Sequence, residues 1–345
     1  AGRIHNAALA ESILTAGKAD IIVMGRPLIA DPYLPVKSQA GRLDDVAPCL
    51  SCNEGCVGIP FGNVTCAVNP RAGQEARFPH IKTNTPKRIV VIGAGPAGIQ
   101  AALTAREKGH HVTLIEREKT LGGLLHVACR PPHKEAFEKL RRYMEHAVRQ
   151  SGMEVRLGTE ADVDMIRALN PDMTVVATGS EPVVPGFCRN TGAVTAQEVL
   201  LGRETGQNVL ILGGGLVGCE TAEMLAEQGK KVTILELRDT LAPDMEKRTR
   251  IFMMARLKEL DVHALLNTEV LEVSGLHVRV RGPLRTERSL DEFDSLVMAF
   301  GYRSRNLLQQ QLAEAGIPFT AAGDCVRPSK VITAVRQGFQ AAWPL

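Results

Sequence analysis

The chain has 345 residues, 44% hydrophobic and 23% charged, an ordinary globular composition with length enough for two or three domains. A formal charge of +3, a pI near 8.4 and no concentrated run of Lys and Arg argue against nucleic acid or a membrane surface as partner, and leave small molecules as the expected ones. No apolar stretch approaches the roughly 18 residues a membrane span needs, and no basic segment leads into an apolar one at the start, so the sequence reads as cytoplasmic, where thiols stay reduced.

Taken in chain order, ADIIVMGRPLIADP (Ala19 to Pro32) reads as an apolar strand running into Gly25 and Arg26. Such a turn suits a phosphate at the C-terminal face of a βα barrel, although a surface or salt-bridging role for Arg26 is the plainer alternative. Residues 1–46 have room for about the last strand–helix unit of a barrel, and the sequence opens on Ala1 instead of Met, so the expectation is a piece of a longer chain.

Four of the eight cysteines then fall within eighteen residues: Cys49, Cys52 and Cys56 in CxxCxxxC spacing, and Cys66 ten residues later. In a reducing compartment this density points to metal or redox chemistry more than to disulfides. All-thiolate ligation of an iron–sulfur centre fits three thiols in one short loop closed by a distant fourth, and zinc is the rival. The segment 47–86 is assigned to this centre. Cys129, Cys188, Cys219 and Cys325 are dispersed and read as small buried hydrophobes.

One plan is then used twice. RIVVIGAGPAG is a β-branched run opening into Gly93, Gly95 and Gly98, and NVLILGGGLVG repeats it 120 residues later with Gly213, Gly215 and Gly218. Each is followed by a helical stretch and a second strand ending in an acid, Glu116 and Glu236, both 23 residues after the first glycine. Strands running into Gly179 and Gly301 complete the two copies. The glycines let a strand turn sharply into a helix while the backbone approaches a pyrophosphate, and the acid accepts from the adenosine ribose. Two copies with matched acids predict two Rossmann-like dinucleotide sites in an α/β fold. Between them, RPPHKEAFEKLRRYMEHAVRQ reads as a breaker and a charged amphipathic helix with a solvated face. His5, His80 and His133 lack a nucleophile at a recognisable spacing.

At the C-terminus, a short strand precedes Gly323 and Asp324, and a helix is predicted from about Val331. This order resembles the flavoproteins with two dinucleotide-binding domains. That resemblance implies FAD at Gly93, Gly95, Gly98 and Glu116, with Gly323 and Asp324 at the ribityl and pyrophosphate region and the helix from Val331 pointing at the isoalloxazine. It implies the nicotinamide cofactor at Gly213, Gly215, Gly218 and Glu236. A capping or turn role remains open for Asp324. Glu236 favours NADH over NADPH by repelling a 2′-phosphate, with Arg238 able to soften the repulsion. Glu220 matches a glutamate near nicotinamide and flavin in such reductases, with a solvent-facing helix position as the alternative.

The whole chain is similar to part of the 2,4-dienoyl-CoA and 2-enoate reductase family, relatives of Old Yellow Enzyme and trimethylamine dehydrogenase. GKADIIVMGRPLIADP, CLSCNEGC with Cys66, NPRA and GAGPAGIQAA carry the likeness. It implies the end of an FMN-binding TIM barrel at 1–46, with the FMN phosphate at Gly25 and Arg26. It further implies an FAD domain at 87–200 and 302–345, an NAD(P)H domain at 201–301, and a [4Fe–4S] cluster on Cys49, Cys52, Cys56 and Cys66. Electrons would pass from NADH through FAD and the cluster to FMN, which reduces the C=C bond of an enoate or enoyl-CoA. The catalytic acid is expected upstream of this chain. Two other arrangements stay open: an electron-transfer module like the glutamate synthase small subunit, and a trimethylamine dehydrogenase-like protein with a structural nucleotide in place of NADH. The substrate and the oligomeric state are not legible.

Overall fold

The computed structural model describes residues 2–57 and 64–345; residues 58–63, inside the expected cluster segment 47–86, lie outside the described residues. The chain divides into two compact units. The first is Ala1–His126, Ala136–Ser180 and Ser304–Leu345, and the second is Val127–Glu135 and Glu181–Arg303.

In chain order the strands that build the two parallel sheets and one antiparallel ribbon are β1 (Arg88–Ile92), β2 (His111–Ile115), β3 (Glu154–Arg156), β4 (Met173–Val176), β5 (Val194–Thr195), β6 (Asn208–Leu212), β7 (Lys231–Leu235), β8 (His263–Leu265), β9 (Glu269–Ser274), β10 (His277–Arg281), β11 (Glu287–Leu290), β12 (Ser295–Met298) and β13 (Phe319–Ala321). The first unit holds a five-stranded parallel sheet in the order β13-β4-β1-β2-β3, and the second holds β5-β12-β6-β7-β8. The registers match as well: Arg88 faces His111 across β1 and β2 as Asn208 faces Lys231 across β6 and β7. The expected α/β architecture of two Rossmann-like sheets is therefore present, and the second unit adds the antiparallel ribbon β9-β10-β11.

Parallel sheets buried on both faces read as continuous apolar runs, and β1 and β6 do so, with four of five residues buried in each. The helices α1 (Pro96–Glu107) and α3 (Leu216–Glu227) follow them directly. Between them in sequence lies α2 (Glu135–Gln150), whose Leu140, Met144 and Val148 form the buried face of the amphipathic pattern. In the first unit α5 (Val331–Ala342) packs closely on α1: a Cβ at Gly338 would come within 2.1 Å of the Ala97 carbonyl oxygen. In the second, α4 (Lys247–Glu259) packs beside α3.

Two expectations are corrected. The second unit begins at Glu181 and takes in Val127–Glu135, not 201–301, because β5 (Val194–Thr195) ladders onto β12 and so belongs to the second sheet. The apolar run Ile21 to Met24 is not a strand: a parallel strand needs a neighbour for its ladder, none of the described residues supplies one, and Ile21 and Val23 are 79% and 83% exposed.

Candidate functional site

Each dinucleotide motif is built by two steric demands. Gly93 and Gly213 turn with φ of +97° and +115°, in the left-handed region, and a Cβ there would strike the carbonyl oxygens of Ala177 and Ala299 at 2.3 and 2.5 Å. A Cβ at Gly98 or Gly218 would meet the carbonyl oxygen of Gly93 or Gly213 at 1.8 or 2.0 Å, so strand and helix can pack this closely only with glycine. Gly95 and Gly215 differ in kind: nothing lies within 4 Å of an added Cβ at either. Both are N-caps without a side-chain cap, at the starts of α1 and α3. The open space beside an uncapped helix start is a cradle that a pyrophosphate fits and a side chain would fill.

The acids are placed identically. Glu116 Oε2 accepts from the Ala94 N–H at 2.6 Å and its Oε1 from the Glu118 N–H at 2.9 Å. Glu236 accepts from Gly214 and Arg238 at the same two distances. These amides fix each carboxylate at the end of its second strand, as ribose binding requires, and each oxygen keeps lone-pair capacity for a further donor.

Asp324 sits after β13, where Gly323 donates to Gln337 Oε1 at 2.8 Å. Its Oδ2 accepts from Ser180 Oγ at 2.9 Å and its Oδ1 from the Ser329 N–H at 3.0 Å; burial pushes its carboxyl up, and those two donors pull it back. These two bonds hold the residue in the loop that leads into α5.

Glu220 is not solvent-facing. It is buried on α3 and paired with Lys134; burial pushes its carboxyl up against the opposing pull of the lysine. One turn on, the fully buried Glu223 pairs with Arg256 of α4, and the ligand atoms of His133, Glu223 and Glu227 lie within 4.8 Å of one another. Lys134 and Arg256 were not foreseeable, since a lone cation after a double proline or inside a helix carries no spacing signal.

Cys49, Cys52, Cys56 and Cys66 line one open cavity, together with Arg26 and Asn53. Backbone N–H groups of Ser51 and Val68 point at the sulfurs of Cys49 and Cys66, each at 3.4 Å. Burial pushes the thiols of Cys52, Cys56 and Cys66 up, that of Cys52 to about 11, so a metal centre here must displace protons as it binds. Four thiols on one cavity are the donor set of an all-thiolate metal centre. Gly25 is the exposed N-cap of a short helix, Arg26–Ala30, and Arg26 Nη1 donates to Asn53 Oδ1 at 2.7 Å. Arg26 is therefore turned into the cysteine cavity, a placement its spacing did not suggest.

Known proteins agree with this geometry. Residues 87–338 match the family model for pyridine nucleotide-disulphide oxidoreductases. The chain is 40% identical to an NADH oxidase of Thermoanaerobacter brockii, over 100% of this chain and 54% of the relative. It is 33% identical to a cinnamate reductase of Clostridium sporogenes, over 99% and 52%. A 2-naphthoyl-CoA reductase structure superposes with a TM-score of 0.93 at 30% identity, over 98% of this chain and 52% of that one.

The two parallel sheets, their paired glycine cradles and the matched acids are those of a pyridine nucleotide-dependent oxidoreductase. The chain belongs to the pyridine nucleotide-disulphide oxidoreductase family and, with its reductase relatives, to the 2-enoate and 2,4-dienoyl-CoA reductases. It spans about half the length of the curated relatives it matches. Among the described residues no helix is long and apolar enough to cross a membrane.

Proposed function

We propose that this chain is the electron-input portion of an NADH-dependent flavin and iron–sulfur reductase whose complete form reduces the C=C bond of an enoate or enoyl-CoA. The observation that carries the reading is the conjunction of two matched pyrophosphate cradles with a cavity lined by four cysteine thiols. When bound, the cofactors would supply hydride acceptance at FAD, one-electron relay at a [4Fe–4S] centre and substrate reduction at FMN.

The chain's own residues bind and orient. Gly95 and Gly215 leave room for a pyrophosphate at the starts of α1 and α3, and Glu116 and Glu236 hold their carboxylates toward the ribose. The negative charge of Glu236 favours a free 2′-hydroxyl, hence NADH. Asp324 orients the flavin from the entrance to α5, and the Glu220–Lys134 pair keeps a buried charge in place beside the nicotinamide. Cys49, Cys52, Cys56 and Cys66 ligate the cluster, the backbone donors to Cys49 and Cys66 favouring the thiolate form.

Segment 1–46 is assigned to the end of a TIM barrel, in which neighbouring strands would cover the exposed Ile21 and Val23 and Gly25 with Arg26 would meet an FMN phosphate. The catalytic acid belongs to the rest of that barrel. Small enoate-type substrates and a cytoplasmic setting complete the proposal.

The test is analytical. The purified chain, reconstituted with iron and sulfide under anaerobic conditions, is predicted to hold one FAD and about four irons, and Cys52→Ser to lose the iron while keeping the flavin. Zinc in place of iron, or loss of both groups together, contradicts the reading.

A further inference from the structure

The residues between Cys52 and Cys56 are gripped from three directions. Arg26 donates to Asn53 at 2.7 Å. Glu54 Oε1 pairs with Lys330 Nζ at 2.8 Å, both side chains being partly exposed, at 23% and 33%. The Gly55 carbonyl accepts from the Thr65 N–H at 2.7 Å, and a Cβ at Gly55 would come within 3.0 Å of Ile332 Cδ1.

Two of these grips come from one place. Lys330 is the N-cap of α5 and Ile332 is in its first turn. A cation at a helix N-terminus is opposed by the helix dipole, so helix stability does not account for Lys330. Its partner does, because Glu54 supplies the compensating charge and is itself flanked by two thiols of the cavity.

We infer that the Glu54–Lys330 pair is a positioning device that fixes the cysteine loop to the start of α5 and thereby sets the separation between the flavin site and the thiol cavity. The inference rests on the reading that these two sites hold FAD and the cluster. Each transfer across that separation takes one electron from the reduced flavin and adds one to the iron–sulfur centre, and NADH supplies the pair as hydride. Glu54 shares the lining of the thiol cavity, and the role inferred for both residues is exerted through the loop and the helix they join.

The test uses Glu54→Gln, Lys330→Met and the charge-exchanged double variant Glu54→Lys/Lys330→Glu, each in the full chain. In the metal-free chain, hydrogen exchange at the Thr65 amide is predicted to speed up about fivefold in each single variant and to recover in the exchanged one. In the reconstituted chain, the reduced-cluster EPR signal after an anaerobic NADH pulse is predicted to appear at least about tenfold more slowly in the singles, since an ångström of misplacement is costly in rate. Flavin bleaching should keep its wild-type rate, and the exchanged variant should regain the fast signal. Iron lost in both singles and regained in the exchanged variant supports the same device. Wild-type exchange and wild-type rates in both singles overturn it, as does an exchanged variant no better than the singles. A wild-type chain that takes up neither flavin nor iron overturns the preceding functional reading instead, and the exchange measurement still decides the clamp.

Discussion

At the scale of single residues, the glycines of each fingerprint do two different jobs, and the structure separates them. Gly98 is needed for packing, since its added Cβ would lie 1.8 Å from a backbone oxygen that cannot move aside cheaply, whereas Gly95 faces open space. Gly98→Ala is therefore predicted to destabilise the flavin-free chain by about 1–3 kcal/mol, the usual cost of overpacking. Gly95→Ala should leave flavin-free thermal stability unchanged and lower bound FAD. Differential scanning fluorimetry with flavin absorbance checks both, and equal effects of the two substitutions on stability would contradict the assignment. Gly93 and Gly98 were legible because sterics leave glycine no substitute there. Glu116 and Glu236 were legible from their fixed distance along the chain. Lys134, Arg256 and Lys330 were not, because a charge partner far away in sequence leaves no local pattern.

At the scale of elements, α3 and α4 are joined by a charge buried in an otherwise apolar contact. Glu223 is fully buried and Arg256 is its main charge partner, with His133 Nε2 3.9 Å away, so Arg256→Met is predicted to cost about 3 kcal/mol. Glu223→Gln combined with Arg256→Met should recover most of that loss, which a double-mutant cycle in urea measures. On α2, hydrogen bonds from Arg141 and then Arg142 hold the Glu138 carboxyl at about 2, below its ordinary 4.5. A carboxyl with a depressed folded pKa stabilises fully above its unfolded value and loses that contribution as pH falls through the folded one. The melting-temperature gap between wild type and Glu138→Gln is thus predicted to hold above about pH 4.5 and close as pH falls toward 2. The same helix illustrates what periodicity conveys: its apolar face was evident from Leu140, Met144 and Val148. The run Ile21 to Met24 illustrates the opposite, because a continuous apolar run cannot reveal whether a neighbouring strand is there to pair with.

At the scale of the whole molecule, the segment between the cysteines and β1 is held to the first unit by specific side chains. Asn69 donates to the Ile29 carbonyl at 2.9 Å, and Arg71 makes a two-pronged pair with Glu107 of α1 while lying over the rings of Phe339 and Trp343. The NPRA motif thus anchors the cysteine segment to the flavin-type sheet, a role its composition did not announce. The unit boundary at Glu181 was missed for a related reason. The first strand of the second unit's parallel sheet, β5, has only two residues, too short to register as an element in the sequence. In the proposed function, electrons enter from NADH at the second fingerprint and reach the cysteine centre through the flavin of the first. An anaerobic titration of the reconstituted chain with NADH and then NADPH tests this most directly, following flavin absorbance and the cluster EPR signal together. Prompt bleaching by NADH, weaker bleaching by NADPH and a reduced-cluster signal are predicted; a bound flavin that neither nucleotide bleaches would contradict the account.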